Sequence, residues 1–216
     1  MRVGAYVDGL NLYYGGRHLC GRSTPGWRWL DITKLVELLI SRNNTWISQQ
    51  ALVHRIVYCT ALIGGIPDAQ ASQRQKTYLA ALEAESQVVV ELGNFINRKV
   101  KGPDLSTGDI HTLQVPEEKG SDVNVASHLL IDLHTDKIDA AVLITNDSDL
   151  RLPAQHARKH LPLGTVNPRG KPTTQALRGQ PEDGTGNHWW YSLTANDFRS
   201  CQFPKAVGEY QKPANW

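Results

Sequence analysis

The chain has 216 residues, and this length favours one embellished domain over two full domains. Its hydrophobic content of 40% and charged content of 20% are ordinary for a globular protein and allow a sizeable core. The net charge of +2 is too small to indicate a nucleic-acid partner by itself.

The cysteines and the N-terminus bear on the cellular compartment. Cys20, Cys59 and Cys201 are far apart and form no zinc-binding spacing, so they fit a reducing compartment rather than a disulfide framework. The first apolar run meets Asp8 at once and is too short for a signal peptide or a membrane span. We therefore expect a cytoplasmic protein with no membrane partner.

The predicted elements alternate between strands and helices. Apolar runs predict strands at 3–7, 51–62, 88–92, 140–145 and 163–166. Apolar residues at helical spacing predict helices at 30–40, 69–85, 121–134, 150–160 and 195–199. This alternation predicts an α/β fold with a mostly parallel central sheet that is flanked by helices on both faces.

Three stretches lack a regular pattern. Residues 64–68 (Gly-Gly-Ile-Pro-Asp) break the chain after the second strand. Residues 97–119 are basic and indicate an irregular hairpin or flap, with a strand at 110–115. Residues 168–188 are rich in Gly, Pro and Thr and predict a loose loop.

Four aspartates stand where the elements of a parallel sheet end or begin. Asp8 ends the first strand, and Asp147 and Asp149 follow the strand at 140–145. Asp122 starts the helix that precedes that strand. Sites in such sheets lie beyond the carboxyl ends of the strands, so these carboxylates converge if the two strands are neighbours.

Clustered carboxylates repel each other and favour a hard divalent cation, for which Mg²⁺ and Mn²⁺ are the candidates. Acids without a Cys or His nucleophile suit metal-activated water attacking a phosphodiester. No glycine-rich phosphate loop indicates a nucleotide cofactor. Taken singly, each aspartate is more typical of a turn or a helix N-cap, above all Asp122 and Asp149, and the combined pattern leaves both interpretations open.

Four segments resemble the NYN domain, a branch of the PIN-like nuclease superfamily. They are Tyr-Val-Asp-Gly-Leu-Asn-Leu-Tyr at 6–13, Arg-Gln-Lys-Thr-Tyr-Leu-Ala-Ala-Leu at 74–82, Lys-Gly-Ser-Asp-Val-Asn at 119–124 and Thr-Asn-Asp-Ser-Asp-Leu at 145–150. Thr145 and Asn146 replace the Ser-Gly of the family motif, and Leu150 replaces its Phe, but every acid is kept. The resemblance extends over residues 1–166.

The resemblance implies a three-layer PIN-like (Rossmann-like) domain at 1–166, and we expect 167–216 to be a loop-rich extension packed on the same domain. It also implies a metal-dependent ribonuclease. By position, the family's metal-binding acids match Asp8, Asp122, Asp147 and Asp149. Asn11 matches their polar companion in the catalytic site. Lys119 matches the lysine before the central acid, and an ordinary surface lysine is the alternative.

These residues define an expected mechanism. Asp8 and Asp147 are our choice of direct metal ligands, Asp122 and Asp149 would bind a second ion or act through water, and Asn11 would orient a ligand or the phosphate. Hydrolysis by water would leave a 5′-phosphate and a 3′-hydroxyl.

Cations around the site would contact the phosphates of RNA, which we expect to be single-stranded. The candidates are Arg98, Lys99, Lys101, Lys119, Arg151, Arg169 and Lys171, and a solvated charged surface is the alternative for each. Trp189, Trp190 and Tyr191 could stack on bases, but aromatic residues in an apolar segment that returns to the sheet are more often packing residues.

Three alternatives stay open at the level of sequence. The same fold could be a non-catalytic RNA-binding or adaptor module, and the same acids could serve a DNA nuclease or a phosphatase. A homodimer is open because many PIN-like relatives dimerise, although the sequence shows no exposed apolar stripe for an interface.

Overall fold

The computed structural model describes residues 1–63, 69–85, 87–214 and 216. Its strands are β1 (Arg2–Asp8), β2 (Leu52–Ala61), β3 (Val88–Pro103), β4 (Ile110–Lys119), β5 (Ala140–Ile144), β6 (Leu163–Asn167), β7 (Trp189–Ser192), β8 (Ala206–Val207) and β9 (Tyr210–Gln211). Its helices are α1 (Gly9–Cys20), α2 (Ile32–Ile40), α3 (Asn44–Ser48), α4 (Ala69–Glu83), α5 (Ser121–His134), α6 (Arg151–Arg158) and α7 (Ala195–Ser200). The predicted break at 64–68 lies outside the described residues.

A seven-stranded sheet forms the middle layer, in the order β4-β3-β2-β1-β5-β6-β7. All neighbours are parallel except β3 and β4, which form an antiparallel hairpin. Strands β1 and β5 lie side by side near the centre, as the convergence of the aspartates requires. The predicted α/β fold with a mostly parallel sheet is therefore confirmed.

Helices cover both faces of this sheet and divide the core in two. On one face α1, α2, α4 and α7 pack against Val3, Ala5 and Val7 of β1. On the other face α5 and α6 pack around Tyr6 and the alternate residues of β5. Successive side chains of a strand point to opposite faces, so a strand covered on both sides is apolar throughout, and β1 shows this pattern.

The stretch at 97–119 is more regular than predicted. Strand β3 continues to Pro103 and pairs with β4 from Asn94 to Pro103 without interruption, and residues 104–109 form the turn. The sequence indicated a hairpin but not the full length of its strands, because most of their side chains are exposed and no buried apolar run marks them.

Helix α1 was not predicted from the sequence. It contains the adjacent glycines Gly15 and Gly16, which lower helix propensity. Tertiary packing overrides this weak propensity, because the buried side of α1 lies against Trp27 and α7.

The C-terminal residues contribute to the main core. Strand β7 extends the sheet beside β6, and Phe198 of α7 is buried edge-on against Trp27 at a centroid distance of 6.4 Å. In the part of the chain that the structure describes, no helix is long and apolar enough to span a bilayer. The division of the chain at residue 166 stays a prediction.

That prediction can be tested at Phe198. Because the ring is 1% exposed, we expect Phe198→Ala to lower the free energy of unfolding by about 3–5 kcal/mol, measured by urea denaturation of the full chain. Leu152→Ala is the control, since Leu152 is 73% exposed and its loss should change stability by about 0.5 kcal/mol or less. Unchanged stability in Phe198→Ala would show that the extension is not part of the folded unit.

Candidate active site

Two neighbouring strands end beside each other at the carboxyl edge of the sheet. Val7 is paired with Ile144, so the next residues, Asp8 and Thr145, lie side by side. Asp8 is only 3% exposed. One of its carboxylate oxygens accepts a hydrogen bond of 2.9 Å from the backbone N–H of Asn11 and thereby caps α1. The predicted N-cap role and a place in the acidic site therefore coincide in this residue.

The hydroxyl of Thr145 connects two of the predicted acids. It donates to Oδ2 of Asp8 at 3.0 Å and accepts from the backbone N–H of Asp147 at 3.1 Å. The carboxylate of Asp147 in turn accepts from the backbone N–H of Asp149 at 3.0 Å and caps a short 3-10 turn. A fully buried hydroxyl thus fixes the chain direction at the end of β5 relative to β1.

Asn11 holds the loop after β5. Its amide oxygen accepts from the backbone N–H of Asn146 at 3.3 Å, and Oδ1 of Asn146 accepts from the backbone N–H of Thr174 at 2.8 Å. Asn146 stands where the family motif has glycine, but it keeps a negative φ, so the turn needs no left-handed residue here. Its side chain instead contributes a contact to the 168–188 loop that glycine could not make.

The electrostatics show that the acids lie within range of each other. Burial raises the pKa of Asp8 to about 6, and repulsion by Asp122 and Asp147 adds to the increase. Burial also raises the pKa of Asp122 to about 6, with further repulsion from Asp147, Glu118 and Asp149. The neighbouring carboxylates therefore disfavour the ionised forms of Asp8 and Asp122, as expected for acids that share one site.

Glu118 is a member of this cluster that the sequence analysis missed. It lies at the end of β4, and its Oε1 accepts from the backbone N–H of Ser121 at 2.9 Å, at the start of α5. Its charge contributes to the raised pKa of Asp122. The only signal in the sequence is its place next to Lys119, which does not distinguish it from other acids of the hairpin.

The donor chemistry of the cluster fits a hard divalent cation, because carboxylates whose charges repel each other are the ligands that Mg²⁺ and Mn²⁺ prefer. Within residues 1–63, 69–85, 87–214 and 216, however, no three His, Cys, Asp or Glu side chains are arranged to hold an ion as they stand. Asp122 and Asp147 are half-buried. The residues present therefore fit a divalent metal in the chemistry of their donor atoms.

The structure separates the predicted cations of the hairpin. Alternate residues of a strand point to opposite faces, so Lys99 and Lys101 share one face and Arg98 lies on the other. Arg98 and Lys119 both pair with Glu117, at 3.7 and 2.5 Å. In the described part of the chain, Lys99 and Lys101 have no ion-pair partner. Among the predicted cations of the hairpin that the structure describes, these two are therefore the ones left free to contact a phosphate.

The register of the sheet places the two lysines on the face of the acids. Asp8 is paired with Cys59, and Cys59 is paired with Glu91, so these three residues share one face of the sheet. Lys99 and Lys101 lie an even number of residues beyond Glu91 on β3 and belong to the same face.

The other predicted nucleic-acid contacts lie on loops and a helix start. Arg151 begins α6 directly after the turn of Asp149, and Arg169 and Lys171 lie in the loop after β6; all three are exposed.

The three aromatic residues of β7 are engaged in packing. Trp189 lies edge-on against Trp46 at 5.3 Å, the guanidinium of Arg158 lies over Trp190, and that of Arg42 lies over Tyr191.

A profile of the NYN domain matches residues 2–178. The chain belongs to the NYN domain family. This match confirms the resemblance, and together with the observed sheet it confirms the PIN-like α/β fold. It also gives the chain a nuclease-like fold.

Two further proteins are similar to this NYN protein. A 6-hydroxy-3-succinoylpyridine 3-monooxygenase, HspA of Pseudomonas putida, is 30% identical over 243 aligned positions that cover all of this chain and 75% of that protein. A crystal structure of a protein of unknown function, VPA0982 from Vibrio parahaemolyticus, matches with a TM-score of 0.52 and 18% identity over 91% of this chain and 94% of that chain. The second likeness shows the fold alone.

The bridging role of Thr145 can be tested by stability. Thr145→Val keeps the shape of the side chain and leaves a buried Asp8 oxygen and the Asp147 N–H without their partner, so we expect a loss of about 1–3 kcal/mol in the free energy of unfolding. The matched control is Thr165→Val, because Thr165 is equally buried and its hydroxyl has no partner among the described residues. Equal losses in the two variants would contradict the bridge.

Proposed function

We propose that this NYN protein is a metal-dependent endoribonuclease. The observation that carries the proposal is the group of carboxylates at the ends of β1 and β5 and at the start of α5, in which burial raises the pKa of Asp8 and of Asp122 and the charge of Asp147 raises both further. A protein that only binds phosphate gains nothing from such a concentration of negative charge. A bound cation would compensate this negative charge, and the cluster would then serve as its ligands.

The residues would divide the work by position. Asp8 and Asp147 would hold a Mg²⁺ or Mn²⁺ ion, and Asp122 and Asp149 would hold a second ion or contact it through water. The ion supplies a Lewis acid that activates water and neutralises charge growing on the phosphate. Thr145 keeps Asp8 and Asp147 in register, and Asn11 positions the loop after β5 through Asn146.

The raised pKa values are consistent with this division. Burial and mutual repulsion disfavour the ionised carboxylates in the folded protein, so these charges cost stability unless a cation compensates them. Natural folds place such unfavourable charge mainly at functional sites.

A cleavage assay tests the nuclease. Single-stranded RNA with Mg²⁺ or Mn²⁺ should be cut to products with 5′-phosphate and 3′-hydroxyl ends, and EDTA should abolish the reaction. Asp147→Asn keeps the shape of the side chain and removes its charge, so we expect the rate to fall about 100-fold or more. Asp109→Asn, on the exposed turn of the hairpin, should cleave like the wild type. Full activity in Asp147→Asn, or a cyclic 2′,3′-phosphate product, would refute the proposed site.

The two free lysines of the hairpin are the proposed phosphate contacts beyond the acids. We expect Lys99→Ala to weaken binding of single-stranded RNA and to reduce the slope of log K against log salt concentration by about one, as for the loss of one phosphate contact. The Lys99→Ala/Lys101→Ala double variant should reduce both further. Fluorescence anisotropy at several salt concentrations measures both effects.

The control for this experiment is the adjacent residue on the opposite face. Arg98→Ala removes one positive charge from the same hairpin, but Arg98 is paired with Glu117. Its binding and salt dependence should match those of the wild type. Equal effects of Lys99→Ala and Arg98→Ala would show that the hairpin acts through net charge and not through one face.

The relative from Pseudomonas putida supports a second candidate, a monooxygenase that acts on a hydroxypyridine. The observation in its favour is 30% identity over the whole of this chain. Consumption of O₂ that depends on both 6-hydroxy-3-succinoylpyridine and an electron donor would support this candidate. An adaptor module would bind RNA and never cleave it, and a DNA nuclease or phosphatase would prefer matched DNA or a small phosphate ester in side-by-side assays.

A homodimer and a cytoplasmic location stay proposals. The sequence showed no exposed apolar stripe for a dimer interface, but the face of the hairpin opposite the lysines carries one. It consists of Ile96, Val100, Leu113 and Val115, which are 42–62% exposed. Light scattering of the wild type and of Val100→Glu would test whether two copies meet there.

A further inference from the structure

A cleft of about 360 Å³ lies between α1 and the loop after β6. Tyr14 and His18 line it from the helix, and Arg169 and Lys171 line it from the loop. Tyr14 and His18 are four residues apart, so their rings share one side of α1. Tyr14 is 52% exposed, so its ring is accessible to a ligand.

The loop that carries the two cations is fixed by a buried side chain. Asn167, at the end of β6, is 0% exposed. Its Oδ1 accepts from the backbone N–H of Arg169 at 2.9 Å, and its Nδ2 donates to the backbone carbonyl of Lys171. One amide therefore holds the backbone of both cationic residues, so their side chains leave the loop from defined positions.

Close packing of glycines brings this loop onto α1. A Cβ at Gly15 would lie 2.2 Å from the carbonyl oxygen of Pro168, and a Cβ at Gly170 would lie 2.4 Å from Cδ2 of Leu19. Gly170 also has a φ of +63°, a left-handed backbone conformation that residues with a side chain rarely adopt. Only glycine at these two positions allows the cationic loop to lie directly beside the aromatic side of the helix.

The cleft lies beside the acidic cluster. Helix α1 starts at the Asp8 cap, and Tyr14 follows Asp8 by six residues, which is about 9 Å along the helix axis. The end of β6 is next to the end of β5 in the sheet. Asn146, which belongs to the acidic loop, is hydrogen-bonded to Thr174 a few residues beyond the cleft.

We propose that this cleft binds one nucleotide of the single-stranded substrate, with the base on Tyr14 and His18 and the phosphate on Arg169 and Lys171. Aromatic side chains next to cations recognise a planar ring that carries an anionic group. The carboxylates repel a phosphate, so cations held close by are needed to retain the strand. This inference rests on the proposed nuclease function and adds to it the aromatic part of the binding site, which the sequence analysis did not identify.

A small aromatic acid offers the same chemistry as a nucleotide. The name of the Pseudomonas putida relative indicates such a compound, a hydroxypyridine with a succinoyl group. The nucleotide is favoured here because the four lining residues are exposed and the cleft lies at the same edge of the sheet as the acidic cluster, as a strand that runs past a cleavage site requires. The experiment therefore tests the nucleotide and the hydroxypyridine separately.

The test measures binding without catalysis. Adenosine 5′-monophosphate, ribose 5-phosphate and 6-hydroxy-3-succinoylpyridine are titrated separately into the full-length protein in EDTA by isothermal calorimetry. We expect adenosine 5′-monophosphate to bind, Tyr14→Ala to weaken it about fivefold or more, and Tyr14→Phe to stay within about twofold of the wild type because the ring is kept. Ribose 5-phosphate, which lacks a base, should bind more weakly and should not respond to Tyr14→Ala.

Matched variants separate the cleft from general charge and from misfolding. Arg169→Ala should weaken binding of adenosine 5′-monophosphate as Tyr14→Ala does. Lys205→Ala, which removes an exposed lysine that does not line the cleft, should not. Tyr14 is half-exposed, so circular dichroism melting should show its variants to be folded. Binding of the nucleotide that is equal in wild type and Tyr14→Ala would overturn the proposal. Binding of the hydroxypyridine alone, weakened by Tyr14→Ala, would also overturn it and assign the cleft to a small aromatic acid.

The result is distinguishable from failure of the nuclease proposal. If the wild type cleaves RNA through Asp147 but Tyr14→Ala binds the nucleotide normally, the cleft proposal fails alone. If the wild type binds adenosine 5′-monophosphate through Tyr14 but cleaves no RNA, the nuclease fails and the nucleotide cleft stands.

Discussion

The hydrogen bond between the Thr145 hydroxyl and the Asp8 carboxylate joins the two strand ends on which the candidate site depends. Asp8 is a buried carboxylate that also caps α1, and Thr145 also receives the N–H of Asp147. A buried carboxylate is costly unless its oxygens are hydrogen-bonded. One hydroxyl therefore satisfies part of the Asp8 charge, fixes the start of the loop after β5 and holds the second acid beside the first.

The same burial gives the site its chemical character. It raises the pKa of Asp8 and Asp122, and the neighbouring carboxylates raise them further. The fold tolerates this unfavourable charge because β1 and β5 are anchored by two apolar cores, one on each face of the sheet. Rigid strands with unfavourable charge at their ends are the arrangement that a bound cation would stabilise.

The surroundings of the acids provide several surfaces of different chemistry. One face of the β3–β4 hairpin carries two unpaired lysines and the other carries an apolar stripe beside the Arg98–Glu117 pair. The cleft beside α1 combines aromatic rings with cations. Membership in the NYN family agrees with a nuclease-like fold, whereas the relative named as a monooxygenase shows that one fold can be associated with different chemistry. Function therefore has to be argued from these side chains and not from the fold.

The sequence by itself determined the fold class and the aspartates at the strand ends, because a strand buried on both faces is a continuous apolar run and an acid directly after it is conspicuous. Helix α5 was predicted with its exact bounds, since apolar residues recur on it at helical spacing. Only the tertiary structure decided the rest. Helix α1 forms through packing against its weak propensity, and the hairpin lysines separate into free and paired residues by strand register. Glu118 and Tyr14 are ordinary surface residues in the sequence. Glu118 reaches the site because β4 leads directly into α5, and Tyr14 reaches it because the loop after β6 lies on α1. Both placements depend on the folded chain, so no local pattern in the sequence marks these residues.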